Sequence, residues 1–482
     1  MMKYIKSFFK AEFDEKKLWH NISFLAVVLI CVMICLSALP FVGESVKYPL
    51  DTPQGKTWWI QQFDAFEKGQ AHLDLPEVPE LDELENPYDR AQREGIKYPW
   101  DRVYYEGKFY SYFGIAPILT VYYPFYFLTG ELPSASAVCL IISLVAMVAL
   151  GLAYREFVIR FCSGTSLWLM LLLFFGVAFS SGIFVGLCWS DSYYVSVLSA
   201  IEWSMLFFFL AMRALRCNKT WSRALLLAAS ALALTLTVWS RPTVALICLV
   251  ILPLFIEFIA RRGRHSINDK IISVFSFVSV LSIGAAAVMF YNAVRFGSPF
   301  DFGSSYQLTV SDISKNTVEI SMLGDALYYY FVRPAELEAA FPFFKAVYFR
   351  PVYEGRYFYA ATAVGAFSFG LPALSLAAPF GKTKKDPAKL ATAILAIVLC
   401  AVVAFFDYCY AGLDMRYIID VLPMLSLIAA MALLSFYSLA KEKDSDILRT
   451  VLPFIAVAVC LIAVLITLAL SQTNPESHIF TK

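Results

Sequence analysis

The sequence predicts an all-α polytopic membrane protein, and three features of it do so. Hydrophobic residues make up 59% of the 482-residue chain and charged ones 16%, with a mean hydropathy of +0.65, too apolar a mixture to build a water-facing surface. Apolar runs of about 20 residues recur, each long enough to cross roughly 30 Å of hydrocarbon as a helix. Those runs are uniformly apolar rather than alternating, which excludes a strand-built barrel.

The first run, about Asn21 to Val42, follows Lys3, Lys6, Lys10, Lys16 and Lys17, which puts the N-terminus in the cytoplasm. Its apolar stretch is longer than the core of a cleaved signal, so it reads as an uncleaved anchor. A long hydrophilic segment then faces outward. Pro117 and Pro124 interrupt Phe113 to Leu128, and a span there would send Arg155 and Arg160 outside, so that stretch reads as an interfacial hairpin or juxtamembrane helix. The remaining spans run about Ala135 to Tyr154, Ser166 to Leu187, Tyr193 to Arg213, Ala224 to Val238 and Thr243 to Ile259. Then come Ile271 to Tyr291, Tyr357 to Pro379, Leu390 to Phe406, Tyr417 to Tyr437 and Thr450 to Leu470, for a total of about eleven.

Charge supports this register. The short basic loops around Arg213/Arg216/Lys219/Arg223, Arg261/Arg262/Arg264, Lys382/Lys384/Lys385 and Lys441/Lys443/Arg449 all fall on the cytoplasmic side. Two long segments then face outward within a single membrane domain: residues 43–130, with juxtamembrane helices, and residues 294–356. The net charge of +1 and the dispersed Lys and Arg exclude nucleic acid as a partner. The ten cysteines lie mostly in apolar runs without ligand spacing and read as small core hydrophobes, leaving Cys188 and Cys409 near the outer face as one conceivable pair.

The first outward segment concentrates carboxylates and aromatics. Trp58 to Lys68 has the pattern of an amphipathic helix lying on the membrane, with Trp59, Phe63 and Phe66 on one face and Asp64 at the boundary with water. Further on, Asp101 leads into Tyr104, Tyr105, Lys108, Tyr110 and Tyr112. A base that takes a proton from a hydroxyl must be held dry but reachable, a description that Asp64 and Asp101 both meet; a solvated loop face is the alternative role for either. The four histidines are scattered, so no Ser/His or Cys/His nucleophile is indicated. Arginines cluster where helices emerge outward: Arg241, Arg295 beside Asn292, Arg350, Arg356, and Arg416. Their planar forks suit a lipid phosphate, and snorkelling with local pairing, such as Arg416 with Asp414 or Asp420, is the competing role. Glu202, with Asp191 above it, is an acid deep in an apolar run, suited to function or to a hydrogen bond between helices.

These residues resemble a known group. The carrying pieces are Asp64-Ala65-Phe66, Gly69-Gln70, Leu73-Asp74, Asn86-Pro87-Tyr88-Asp89 and Trp100-Asp101, followed by Tyr104 to Tyr110, Gly114 and Pro117. Later pieces are Ser240-Arg241-Pro242, Tyr291-Asn292, Arg295 to Pro299, Phe302-Gly303, Tyr306-Gln307-Leu308, and Arg416-Tyr417 with Asp420 and Pro423. Together they resemble the GT-C superfamily of membrane glycosyltransferases, which use polyprenyl-phosphate-linked sugars, and especially bacterial relatives of the protein mannosyltransferase and aminoarabinose transferase group. The resemblance implies a catalytic acid and juxtamembrane helices in the first outward loop, in the bacterial cytoplasmic membrane with the active face outward. It implies a polyprenyl-phosphate sugar as donor and a cell-envelope glycan, lipid or protein as acceptor.

Relatives usually carry the acid, often as Asp-Glu, directly after the first span, where this chain has Glu44 and Asp51 without that dipeptide. The expected catalytic acids are therefore Asp101 first, then Asp64 and Asp51. Lys108, Arg241, Arg295, Arg356 and Arg416 are the expected phosphate ligands. Tyr104, Tyr105, Tyr110, Asp191, Asn292 and Tyr306 are expected to line the substrate pocket. No cofactor is required beyond the lipid-linked donor, and the spacing leaves a divalent metal open. A secondary transporter or lipid flippase is the rival reading, resting on Glu202 and the number of spans; against it stand the lack of an internal repeat and the crowding of charge at the outer ends. A non-catalytic assembly partner with the same fold is a third.

Overall fold

A computed structural model describes residues 11–37, 57–162, 164–261, 263, 265–341, 343–345, 364–381 and 386–473. Within them, nine helices are long and apolar enough to cross a membrane: α1 (Leu18–Ser37), α4 (Ala135–Phe161), α7 (Ser192–Arg216), α8 (Thr220–Val238), α9 (Pro242–Ala260), α10 (Ile267–Phe296), α11 (Pro387–Tyr410), α12 (Met415–Glu442) and α13 (Asp446–Gln472). The other two expected spans differ in form. The stretch Ser166 to Leu187 is α5 (Leu167–Ser180) followed by α6 (Ile183–Cys188), broken where Gly182 takes φ 82°. A side chain there would strike Ile419 of α12 at 2.8 Å, so the glycine serves both the turn and the close approach. Of Tyr357 to Pro379, the described part begins at residue 364 and forms tight turns over Leu371–Phe380, next to α12.

α12 is the axis of the bundle, buried along its apolar length and touching α5, α7, α11 and α13. Ser426 of α12 meets Ser180 of α5 hydroxyl to hydroxyl at 2.8 Å, a polar contact that fixes the register of two apolar helices. α4, α7, α8 and α10 follow one another side by side, and α10 at the end of that row is largely exposed, as a lipid-facing helix is.

The basic segments meet at one end. There Arg216 pairs with Glu15 at 2.9 Å, Arg160 with Glu257 at 2.6 Å and Asp386 at 2.7 Å, and Lys441 with Glu12. Arg262, Arg264, Lys382, Lys384 and Lys385 lie outside the described residues.

The opposite end carries the two long segments, and they form one body. The chain after α2 (Trp58–Glu67) enters a hairpin of β1 (Val103–Tyr105) and β2 (Lys108–Tyr110), in the register Val103 to Tyr110 and Tyr105 to Lys108. Glu106 and Gly107, both at positive φ, make the two-residue turn that matches the twist of the strands. The second segment joins its edge. Asp101 N–H donates to Leu308 O (3.1 Å) and Leu308 N–H donates to Arg102 O (2.8 Å), while Arg93 donates to Thr309 O at 2.7 Å.

α2 departs from the expectation that it lies on lipid. Thr57 caps it, and Trp59 and Phe63 turn inward, against Phe113, Tyr122, Tyr123 and Tyr126 of the following segment. Burying each ring is worth about 2–3 kcal/mol over leaving it exposed. The exposed apolar part is instead the end of α3 (Ile118–Thr129), where Phe127 and Leu128 stand out before Gly130 ends the helix. Cys188 and Cys409 are both free thiols.

A backbone approach locks the loop body onto the bundle. Gly114 lies against the turn after α8, where an added Cβ would fall 1.8 Å from the Trp239 carbonyl oxygen. Neither side is a flexible side chain, so Gly114→Ala is expected to destabilise the protein by about 1–3 kcal/mol. Thermal unfolding in detergent should show a lowered midpoint for Gly114→Ala and an unchanged one for Gly324→Ala, whose Cβ would meet nothing; equal midpoints would refute the close contact.

Candidate active site

The site forms where α7 and α12 begin. Asp191 caps α7 by accepting from the N–H groups of Tyr193 (2.7 Å) and Tyr194 (3.1 Å). Asp414 caps α12 in the same way, accepting from Arg416 N–H at 3.0 Å. Tyr193 and Arg416 are thus each the second residue of a long helix, and both helices present their positive ends to the same space.

Asp101 stands between them. Its backbone takes φ 55°, a left-handed conformation that aspartate tolerates better than most residues, and it is held there by Leu308 O and by the Trp58 indole N–H, which donates to Asp101 O at 3.2 Å. The carboxylate is buried, 5% exposed. Tyr193 donates its hydroxyl to Asp101 Oδ2 at 2.6 Å and Tyr112 donates to the same oxygen at 3.0 Å. Among the described residues nothing bonds to Oδ1. Burial, and then the Asp101 charge, push the Tyr112 hydroxyl well above its ordinary value, which keeps it a donor.

Arg102 and Arg416 lie beside this carboxylate, and Arg241 lies next to Arg416 across the Tyr417 ring; the three are in different states. Arg416 spreads its guanidinium 4.1 Å over the Tyr193 ring and touches Asp414 at 3.1 Å. Arg241, in the turn between α8 and α9, pairs with Asp420 of α12 at 2.7 Å and leaves its buried Nε without a partner among the described residues. Burial opposes its charge, but Asp420, Asp407 and Tyr417 outweigh that, and the guanidinium ends above the ordinary arginine value. Arg102 lies over Trp58 and donates twice to Gln61 Oε1, at 3.0 and 2.8 Å; burial pulls it down to about 10 against the raising effect of Asp101. Neither Arg102, Gln61 nor Tyr193 was singled out as a site residue from the sequence, because each acquires its role through a partner distant in the chain, whereas Asp414 was read as a local partner of Arg416.

The other sequence candidates are elsewhere. Arg295 is buried beside the hairpin, donating to Ser111 O (2.9 Å) and to Asn292 Oδ1 (2.7 Å), under Tyr291. Tyr105, Tyr110 and Tyr306 gather around Phe296 on that same face of the hairpin, with Tyr306 bonded to Asp301 at 2.9 Å. Tyr104 points to the other face and bonds Asp82 at 2.6 Å inside the loop body. Lys108 is exposed at the hairpin tip, four residues and about 13 Å of strand from Tyr112. Asp64 is half-buried on α2, about 9 Å along the axis from Trp58, with Lys68 near it. Asp51, Arg350 and Arg356 lie outside the described residues. Glu202 is buried in α7 with Oε2 unbonded among the described residues. No group of three or more potential metal ligands gathers among the described residues.

No protein-family model matches the chain, and no curated protein matches it by sequence. Solved structures do resemble it. The apo crystal structure of the Archaeoglobus fulgidus oligosaccharyltransferase superposes with a TM-score of 0.53 at 13% identity, covering 95% of this chain and 57% of that one. ArnT from Cupriavidus metallidurans, bound to undecaprenyl phosphate, gives a TM-score of 0.44 at 12% identity over 94% and 76% of the two chains. The chain therefore shares the polytopic helical fold of the archaeal oligosaccharyltransferase, and spans 57% of that protein's length.

Burial also governs the hairpin tyrosines. It pushes Tyr88 and Tyr306 up to about 12, in Tyr306 with help from the bond to Asp301. A phenol whose folded value exceeds its unfolded one near 10 adds stability that is whole below that value and lost as pH rises toward 12. Tyrosinate absorbance should accordingly rise in a late phase coincident with unfolding of the loop body. Ordinary titration of every tyrosine with the fold intact would refute the burial assigned to this cluster.

Proposed function

We propose that this protein is a membrane glycosyltransferase, moving a sugar from a polyprenyl-phosphate-linked donor to a hydroxyl of a cell-envelope acceptor on the outer side of the bacterial cytoplasmic membrane. One observation carries the reading: the buried Asp101 carboxylate, tied at Oδ2 by two tyrosine hydroxyls and unbonded at Oδ1 among the described residues, beside Arg416 and the starts of α7 and α12. The fold lends support, since the archaeal protein that shares it is an oligosaccharyltransferase. The clustering of basic residues at the other end of the bundle favours an outward-facing Asp101 end.

The chemistry follows from these groups. An alcohol is a weak nucleophile until its proton is removed in step with attack. Asp101 Oδ1 takes that proton while the acceptor oxygen bonds to the anomeric carbon of the sugar. The bond from that carbon to the phosphate oxygen breaks, and its electron pair leaves on the lipid phosphate. Arg416 and the two helix N-termini meet the developing charge, with the spare Nε–H of Arg241 as a further donor. Tyr112 and Tyr193 hold the base in one rotamer, and the packed rings of Trp58 and Phe113 against Tyr193 limit water, whose attack on the donor is the competing reaction.

Transfer from a panel of polyprenyl-phosphate sugars to envelope extracts, read as release of polyprenyl phosphate, is the test. Asp101→Asn is expected to lower transfer by a factor of about a hundred or more while leaving binding of polyprenyl phosphate intact. Arg416→Gln is expected to weaken that binding about tenfold. Wild-type transfer by Asp101→Asn removes this mechanism.

A further inference from the structure

The end of the bundle remote from Asp101 holds a pocket of about 70 Å³ between the ends of α4, α7 and α9. Its rim is polar, made by Arg160, Arg216, Arg261 and His265 with Glu257 among them. Its wall is apolar, made by Met212, Leu215, Leu254 and Phe258. Arg160 and Arg216 are spoken for: Arg160 is matched by Glu257 and Asp386, and Arg216 by Glu15 and by Glu156 at 2.8 Å. Arg261 is different, 59% exposed at its side chain, with only a 3.7 Å approach to Glu257, which Arg160 already engages.

A second cation stands behind the wall. Arg223 is fully buried and lies 3.0 Å from His265 Nδ1 and 5.3 Å over the Phe258 ring, both of which line the pocket. Its partners are neutral: Ser273 Oγ at 2.8 Å, Cys217 O at 2.9 Å and His265. Among the described residues no carboxylate bonds to it, Asp269 being near enough only to feel its charge, and its buried Nη2 has no partner. A buried guanidinium with no directly bonded counter-charge is costly to hold, and a further anion close by relieves it.

We propose that this pocket binds the phosphate headgroup of an anionic phospholipid from the membrane leaflet at that end. The phosphate faces Arg261 and the field of Arg223, and the glycerol end rests on Leu254 and Phe258. Ile256 and Ile259, exposed on the outer face of α9, continue the apolar surface into the bilayer for the acyl chains. A lipid rather than a free anion fits because the polar rim and the apolar wall belong to the same pocket at the end of membrane-spanning helices.

Native mass spectrometry of the full-length protein in detergent, with phosphatidylglycerol or phosphatidylcholine added, tests this. Retention of phosphatidylglycerol over phosphatidylcholine is expected, falling about fivefold in Arg261→Gln and recovering in Arg261→Lys. Arg416→Gln, at the opposite end, should leave it unchanged, which separates this site from the proposed donor site. Equal retention of the two lipids, or Arg261→Gln behaving as wild type, overturns the proposal. So does displacement of phosphatidylglycerol by inorganic phosphate at similar concentration, which would identify a free-anion site, and so does loss of retention in Arg416→Gln alone.

Discussion

The hydroxyl of Tyr193 lies 2.6 Å from Asp101 while its ring lies 4.1 Å from the guanidinium carbon of Arg416, so one side chain sets the separation between a carboxylate and a cation. Were the two charges to collapse onto each other, neither would be open to a substrate. Several devices hold Tyr193 in place. Asp191 caps its backbone, Trp58 and Phe113 pack edge-on against its ring, and α7 itself is locked between α4 and α8. Asp101 is held as firmly, in a backbone conformation that costs about 1–3 kcal/mol and persists only because two other segments bond to it.

That arrangement divides the arginines by what they already hold. Arg295 donates to Ser111 O and Asn292 and so ties α10 to the end of the hairpin. Arg102, folded onto Trp58 and Gln61, anchors the strand next to Asp101. Arg241 and Arg416 are paired with carboxylates at helix starts or within α12, and such pairs keep a buried cation in position for an incoming anion. Removing one member of the Arg241–Asp420 pair would strand the other charge, at about 3–5 kcal/mol.

The loop body acts as a lid frame built from two distant stretches of chain. Contacts of Asp101, Arg102 and Arg93 with Leu308 and Thr309 make the segments before α3 and after α10 a single unit. Gly114 against Trp239 and Trp59 against Ser192 O then fasten that unit to the helices. The carboxylate is therefore carried on a loop but positioned by the membrane helices.

Read alone, the chain determined the membrane class, most of the spans, the gathering of basic loops at one end, and two long polar segments rich in acids and aromatics, because hydropathy and charge act locally and leave a direct mark on composition. It also pointed to Asp101 before a tyrosine-rich polar loop; that this loop is a β-hairpin emerged only from the structure, although its Glu-Gly turn is a local signal. Tertiary structure alone decided the rest. An apolar helix face reads the same whether it meets lipid or protein, so the inward turn of Trp59 and Phe63 was not legible, nor was the break at Gly182, which depends on Ile419 far along the chain. The union of Asp101, Tyr193 and Arg416 belongs to the same class, since a hydrogen bond across 92 positions and a ring contact across 223 leave no spacing to read.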